Sequence, residues 1–146
     1  MRPLLAATTL TLLALAAMPA AAANYEVQML NKGEAGTMVF EPNFLAIQPG
    51  DTVTFVPTDK SHNVENIKDM LPDGAAPFKS KVNEEFTMTF DVPGLYGFKC
   101  TPHWGFGMAF VAKVGTAANL AEAEAAVAKT PPMAKKRLTQ SFASIK

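Results

Sequence analysis

The one cysteine of this 146-residue chain lies in the stretch Cys100-Thr101-Pro102-His103-Trp104-Gly105-Phe106-Gly107-Met108. A thiolate, an imidazole and a thioether thus fall within nine residues. His62, the only other histidine, adds a second imidazole upstream. Two imidazoles, one thiolate and a weakly bound axial thioether are the donor set of a blue-copper electron-transfer site. Thiolate and imidazole bind copper strongly, and a thioether favours its cuprous form. Zinc accepts cysteine and histidine but takes methionine poorly. A metal whose four positions are all filled by protein has none open for a substrate, which favours electron transfer over catalysis.

Taken singly, each of these residues has an ordinary structural reading. A free cysteine is commonly a small buried apolar residue. The chain has eight methionines, most of which must be structural. His62 alone reads as a hydrogen-bonded loop histidine, and His103 beside Trp104 as part of an aromatic surface. The weight lies in the combination, because the only cysteine and both histidines belong to it. Asn63, next to His62, is a candidate to bind the loop of Cys100 and fix its geometry. An ordinary turn asparagine is the equal alternative.

Such donors need strands to aim them. Alternation marks Tyr25 to Leu30, Phe44 to Ile47, Thr52 to Val56, Glu85 to Phe90, Leu95 to Cys100 and Met108 to Val114. Short alternating strands between Pro/Gly turns predict an all-β antiparallel sandwich or barrel. Tyr96, Phe98 and Cys100 share one strand face, and the two aromatics turn it inward. Met108, Phe110, Ala112 and Val114 share a face of the next strand. The loop from Thr101 to Gly107 then brings the two sulfurs towards one point, with His103 between them. His62 must arrive from a second loop at the same pole. The connection from Asn66 to Val82 is irregular, with room for one helical turn. Beyond Gly115 the pattern becomes helical. Asn119 and Glu122 resemble an N-cap pair. Thr130 and Pro131 resemble a second helix start. Leu138, Phe142 and Ile145 recur at helical spacing.

The amino terminus reads as a Sec-type secretory leader covering residues 1–23. It has a positive start at Arg2, an apolar run from Leu4 to Ala17 too short to span a bilayer, and small residues at Ala21 to Ala23. Residues 24–146 form one domain, a sandwich over 24–115 and helices over 116–146. The whole chain has 13 basic and 13 acidic residues, a balance that disfavours nucleic acid as main partner. No later segment predicts a membrane span. An exported chain with one cysteine makes no internal disulfide.

These residues carry a family resemblance. The chain resembles the cupredoxins, and within them the pseudoazurins. The Cys-Thr-Pro-His segment, followed by four residues and Met108, is shared with plastocyanin-type sites. The pseudoazurin match comes from Met29 to Gly33, Met38 to Pro42, Pro49 to Phe55, His62 to Glu65 and Phe78 to Lys81, and from the two C-terminal helices. The resemblance implies an eight-stranded Greek-key sandwich. It implies one type 1 copper ion held by Nδ of His62 and His103, Sγ of Cys100 and Sδ of Met108. It implies a monomeric periplasmic electron carrier, not an enzyme, that donates to acidic partners such as copper nitrite reductase in denitrification, and to cytochromes. Electrons would leave by the His103 edge, through an apolar patch of Met38, Pro102 and Phe106 ringed by Lys32, Lys60, Lys79 and Lys99. A periplasmic copper carrier or store is the alternative function. Two departures stand out. Ser61 occupies an expected glycine position, costly if φ is positive there. Trp104 stands where tyrosine is common, beside the partner face.

Overall fold

The computed structural model describes residues 21–145, so residues 1–20 of the expected leader lie outside the described residues. Eight strands form two four-stranded sheets. They are β1 (Asn24–Gly33), β2 (Gly36–Glu41), β3 (Phe44–Ile47), β4 (Thr52–Val56), β5 (Glu65–Asn66), β6 (Phe86–Thr89), β7 (Gly94–Lys99) and β8 (Ala109–Val114). Helices α1 (Leu120–Val127) and α2 (Pro132–Ala143) follow. One sheet runs β2-β1-β4-β6 and the other β3-β8-β7-β5. The sandwich with two C-terminal helices is as expected, but its sheets are mixed rather than purely antiparallel. β1 pairs in parallel with β4, and β3 with β8. The cause is connectivity: between β2 and β4 the chain crosses to the second sheet to form β3.

Alternation drives the packing. Val27 and Met29 of β1, Val53 and Phe55 of β4, Tyr96 and Phe98 of β7, and Phe110, Ala112 and Val114 of β8 all point between the sheets and are buried. Phe55 and Phe110 meet edge to face at 5.3 Å between ring centroids, and Phe40 meets Phe55 in the same way at 6.1 Å. Each such ring contributes roughly 1.5–3 kcal/mol by burial. Favourable edge geometry adds about 0.5–1.5 kcal/mol per pair.

β7 and β8 are buried on both faces. Their outer residues Leu95, Ala109 and Val111 form a second cluster with Ile67, Met70, Ala123, Ala126 and Leu138. The C-terminal helices and the Ile67–Met70 turn therefore cover the strands that carry the cysteine and methionine. The turn takes the place of the helical turn expected in the 66–82 connection.

Other partners, one distant and one local, redirect both expected helix caps. Asn119 makes no side-chain cap bond. Its Oδ1 accepts the Leu95 N–H at 2.7 Å and its Nδ2 donates to the Leu95 carbonyl at 3.0 Å. It joins α1 to β7 instead. Pro131, rather than Thr130, is the N-cap of α2, and Pro132 opens the helix. The Thr130 hydroxyl donates back to the Val127 carbonyl at the end of α1. At the other end of the domain the Ala23 N–H donates to Asp51 Oδ1, and its carbonyl accepts the Thr52 N–H.

Candidate metal centre

Cys100 follows directly on β7 and its N–H donates to the Met108 carbonyl at 3.0 Å. That bond closes the loop and sets Cys100 beside Met108, both fully buried in the inter-sheet core. Within the loop the N–H groups of His103 and Phe106 donate to the carbonyls of Cys100 and His103. These tight bonds wind Trp104–Phe106 into a short 3-10 turn. Gly107 ends it at φ 79°. A Cβ there would lie 2.7 Å from the Met133 backbone of α2, so only glycine admits this approach. His62 enters from the loop after β4 and is fully buried.

These elements bring His62, Cys100 and His103 together. Cys100 Sγ lies 3.7 Å from His62 Nδ1 and 3.4 Å from His103 Nδ1, and the two Nδ1 atoms are 3.1 Å apart. A triangle with these sides has a circumradius of about 2 Å, close to a metal–nitrogen or metal–thiolate bond length. The donor set therefore fits a single small metal ion.

The surroundings favour that use. His62 Nε2 lies 3.0 Å from Asn31 Oδ1, which fixes its proton on Nε2 and turns the Nδ1 lone pair inward. Burial lowers the His62 pKa, with the charge of His103 adding to the effect, so the ring is kept neutral as a ligand must be. Burial also raises the Cys100 thiol above its ordinary value, against the opposing bonds from the Asn63 and His103 backbone. A bare thiolate is unfavourable here, and a bound cation compensates it.

Asn63 is 2% exposed and does join the two loops. Its Oδ1 accepts the Thr101 N–H at 2.8 Å, and its Nδ2 donates to Thr101 Oγ1 at 3.1 Å. The Thr101 hydroxyl in turn donates to Glu65 Oε2 at 2.6 Å. Asn31, Thr101 and Glu65 have no spacing to reveal them, because each reaches its partner across 31 to 38 residues.

His103 is the half-buried member of the trio, at the protein surface beside exposed Phe106 and Pro102. Met38 is partly buried and packs against the core cluster of Cys100 and Met108. Lys32, Lys60 and Lys79 are exposed. Lys79 and Lys99 share one counter-charge, with their Nζ atoms 3.3 and 4.0 Å from Glu65 Oε2. Lys99 also lies over the Trp104 ring, 5.8 Å from its centroid. Trp104 packs into the cluster beneath the helices, so it anchors the loop from the α1 side.

The sequence profile of copper-binding proteins of the plastocyanin/azurin family matches residues 27–115. The chain is 55% identical to a pseudoazurin of Paracoccus pantotrophus over 97% of its own length and 96% of the relative's. It is 45% identical to a pseudoazurin of Methylorubrum extorquens, covering 99% and 97% of the two chains. It superposes on the crystal structure of pseudoazurin from Methylobacterium extorquens AM1 with a TM-score of 0.81 and 44% identity, covering 84% of this chain and 99% of that one. The chain belongs to the pseudoazurins, blue-copper electron carriers of the plastocyanin/azurin family rather than enzymes.

Proposed function

We propose that this pseudoazurin shuttles electrons in the periplasm to an acidic reductase, copper nitrite reductase in denitrification, and exchanges them with cytochromes. Nδ1 of His62, Nδ1 of His103, Sγ of Cys100 and Sδ of Met108 hold its copper. The observation that carries the reading is the asymmetry of the trio: three donors converge on one point, and only His103 has an edge at the surface. Copper supplies a one-electron couple at that point. The protein supplies the rest. The ladder of β7 and β8 holds both sulfurs in a packed interior that resists rearrangement. Asn31 and Asn63 fix the two loops. The core excludes water from Cys100, and His103 forms the contact edge.

A small apolar contact around His103 suits a complex that must separate quickly. The lysines at its margin steer an acidic partner. Export by the Sec route with removal of the leader, and action as a monomer, complete this reading. Among the described residues no helix is long and apolar enough to cross a membrane.

Stopped-flow oxidation of the reduced protein by an acidic copper nitrite reductase tests the partner. Electron transfer should be fast and should slow as ionic strength rises. A rate indifferent to salt removes the lysines from the account, and an absence of transfer removes the partner.

A further inference from the structure

Arg137 extends from α2 across the β1–β2 hairpin. Its Nη1 donates to the Met38 carbonyl at 2.6 Å and its Nη2 to the Thr37 carbonyl at 2.8 Å. A half-buried guanidinium committed to two neutral carbonyls is a strong local restraint, since hydrogen bonds from charged donors are stronger than those between neutral groups. What it restrains is unusual. Met38 has φ 50°, in the left-handed region, which strains a residue that carries a side chain.

The ladder explains why that conformation matters. β1 and β2 pair Leu30 with Val39 and Lys32 with Thr37, so Asn31 and Met38 lie opposite each other at an interruption in the pairing. Asn31 uses the interruption. Its N–H donates to Asp59 Oδ2 at 2.7 Å and its Oδ1 receives His62 Nε2. Thus α2 reaches the metal centre from two sides. Its first turn abuts Gly107 in the ligand loop. Its Arg137 grips the strand opposite the residue that orients His62.

We propose that Arg137 is a positioning residue for the metal centre, pinning Met38 so that the distorted hairpin presents Asn31 to His62 and packs Met38 against the core of Cys100 and Met108. The inference rests on His62 and Cys100 being ligands.

The test compares Arg137→Gln and Arg137→Lys with Phe142→Ala, which loosens the far end of α2 without touching the hairpin. Two quantities are read on each folded, copper-loaded protein: the thiolate-to-copper absorption spectrum, and solvent exchange of the His62 Nε2 proton by NMR in the reduced state. Arg137→Gln should alter the relative intensities of the absorption bands and speed the exchange about tenfold, the effect of weakening one hydrogen bond. Arg137→Lys should lie between it and wild type. Phe142→Ala should lower Tm and move neither quantity. If Arg137→Gln lowers Tm yet leaves both quantities at wild-type values, the residue is only structural and the proposal is overturned. Should that variant not fold, Arg137→Lys decides by the same criteria. Failure of the ligand assignment would show separately, as wild-type protein without the absorption.

Discussion

Single residues show where chemistry overrides local preference. Ser61, immediately before His62, has φ 74°. Its N–H donates to Asn83 Oδ1 at 2.6 Å, so the strained position is held from outside the loop. A serine in the left-handed region costs roughly 1–2 kcal/mol relative to relaxed backbone. Glycine removes that strain but adds freedom to the unfolded chain. Ser61→Gly should therefore raise stability by about 1 kcal/mol, seen as a higher urea midpoint with an unchanged metal spectrum. Unchanged or lower stability would mean that the serine side chain contributes more than its strain costs. The donor trio was legible in the chain because thiol and imidazole side chains are so scarce in it. The groups that orient the trio were not. An asparagine such as Asn31 looks like any turn residue until the fold sets it against His62 Nε2.

At the scale of elements, strand phase carried most of the information. The inward face of Tyr96, Phe98 and Cys100 follows from alternation between turns, and the structure buries all three. Alternation could not announce that the outer face of β7 is covered as well, because that depends on helices placed by tertiary packing. Two-residue β5 is too short to carry a pattern, and β2 is distorted at Met38. Asn119 illustrates the same limit: its sequence context suits a helix cap, yet the buried backbone of Leu95 competes for its amide and wins. That makes Asn119 a joint between α1 and β7. Asn119→Ala should cost about 1–3 kcal/mol, because the buried Leu95 N–H loses its partner. Chemical denaturation should show the loss while the metal spectrum stays as in wild type. A loss below about 0.5 kcal/mol would indicate that another group satisfies Leu95.

For the whole molecule, the pole opposite the ligand loops sets the response to acid. The N–H groups of Gln48 and, second, Ala23 lower the Asp51 carboxyl pKa. A carboxylate whose pKa falls on folding stabilises the fold above the unfolded value of about 3.9. That contribution is lost as pH falls through the lower folded value. Wild type should therefore melt above Asp51→Asn near neutral pH, with the difference in Tm shrinking as pH falls below the unfolded value of about 3.9. A difference that stays constant with pH would assign the effect to shape rather than charge. The whole chain balances 13 basic against 13 acidic residues, and Glu65 partly offsets Lys79 and Lys99. All of this depends on four side chains holding copper at the ligand pole. Titration of the metal-free protein with Cu(II), followed by visible absorption, tests that directly. Such coordination predicts an intense thiolate-to-copper band that saturates at one ion per chain and is abolished by Cys100→Ser. A colourless complex, or a band that survives Cys100→Ser, would contradict it.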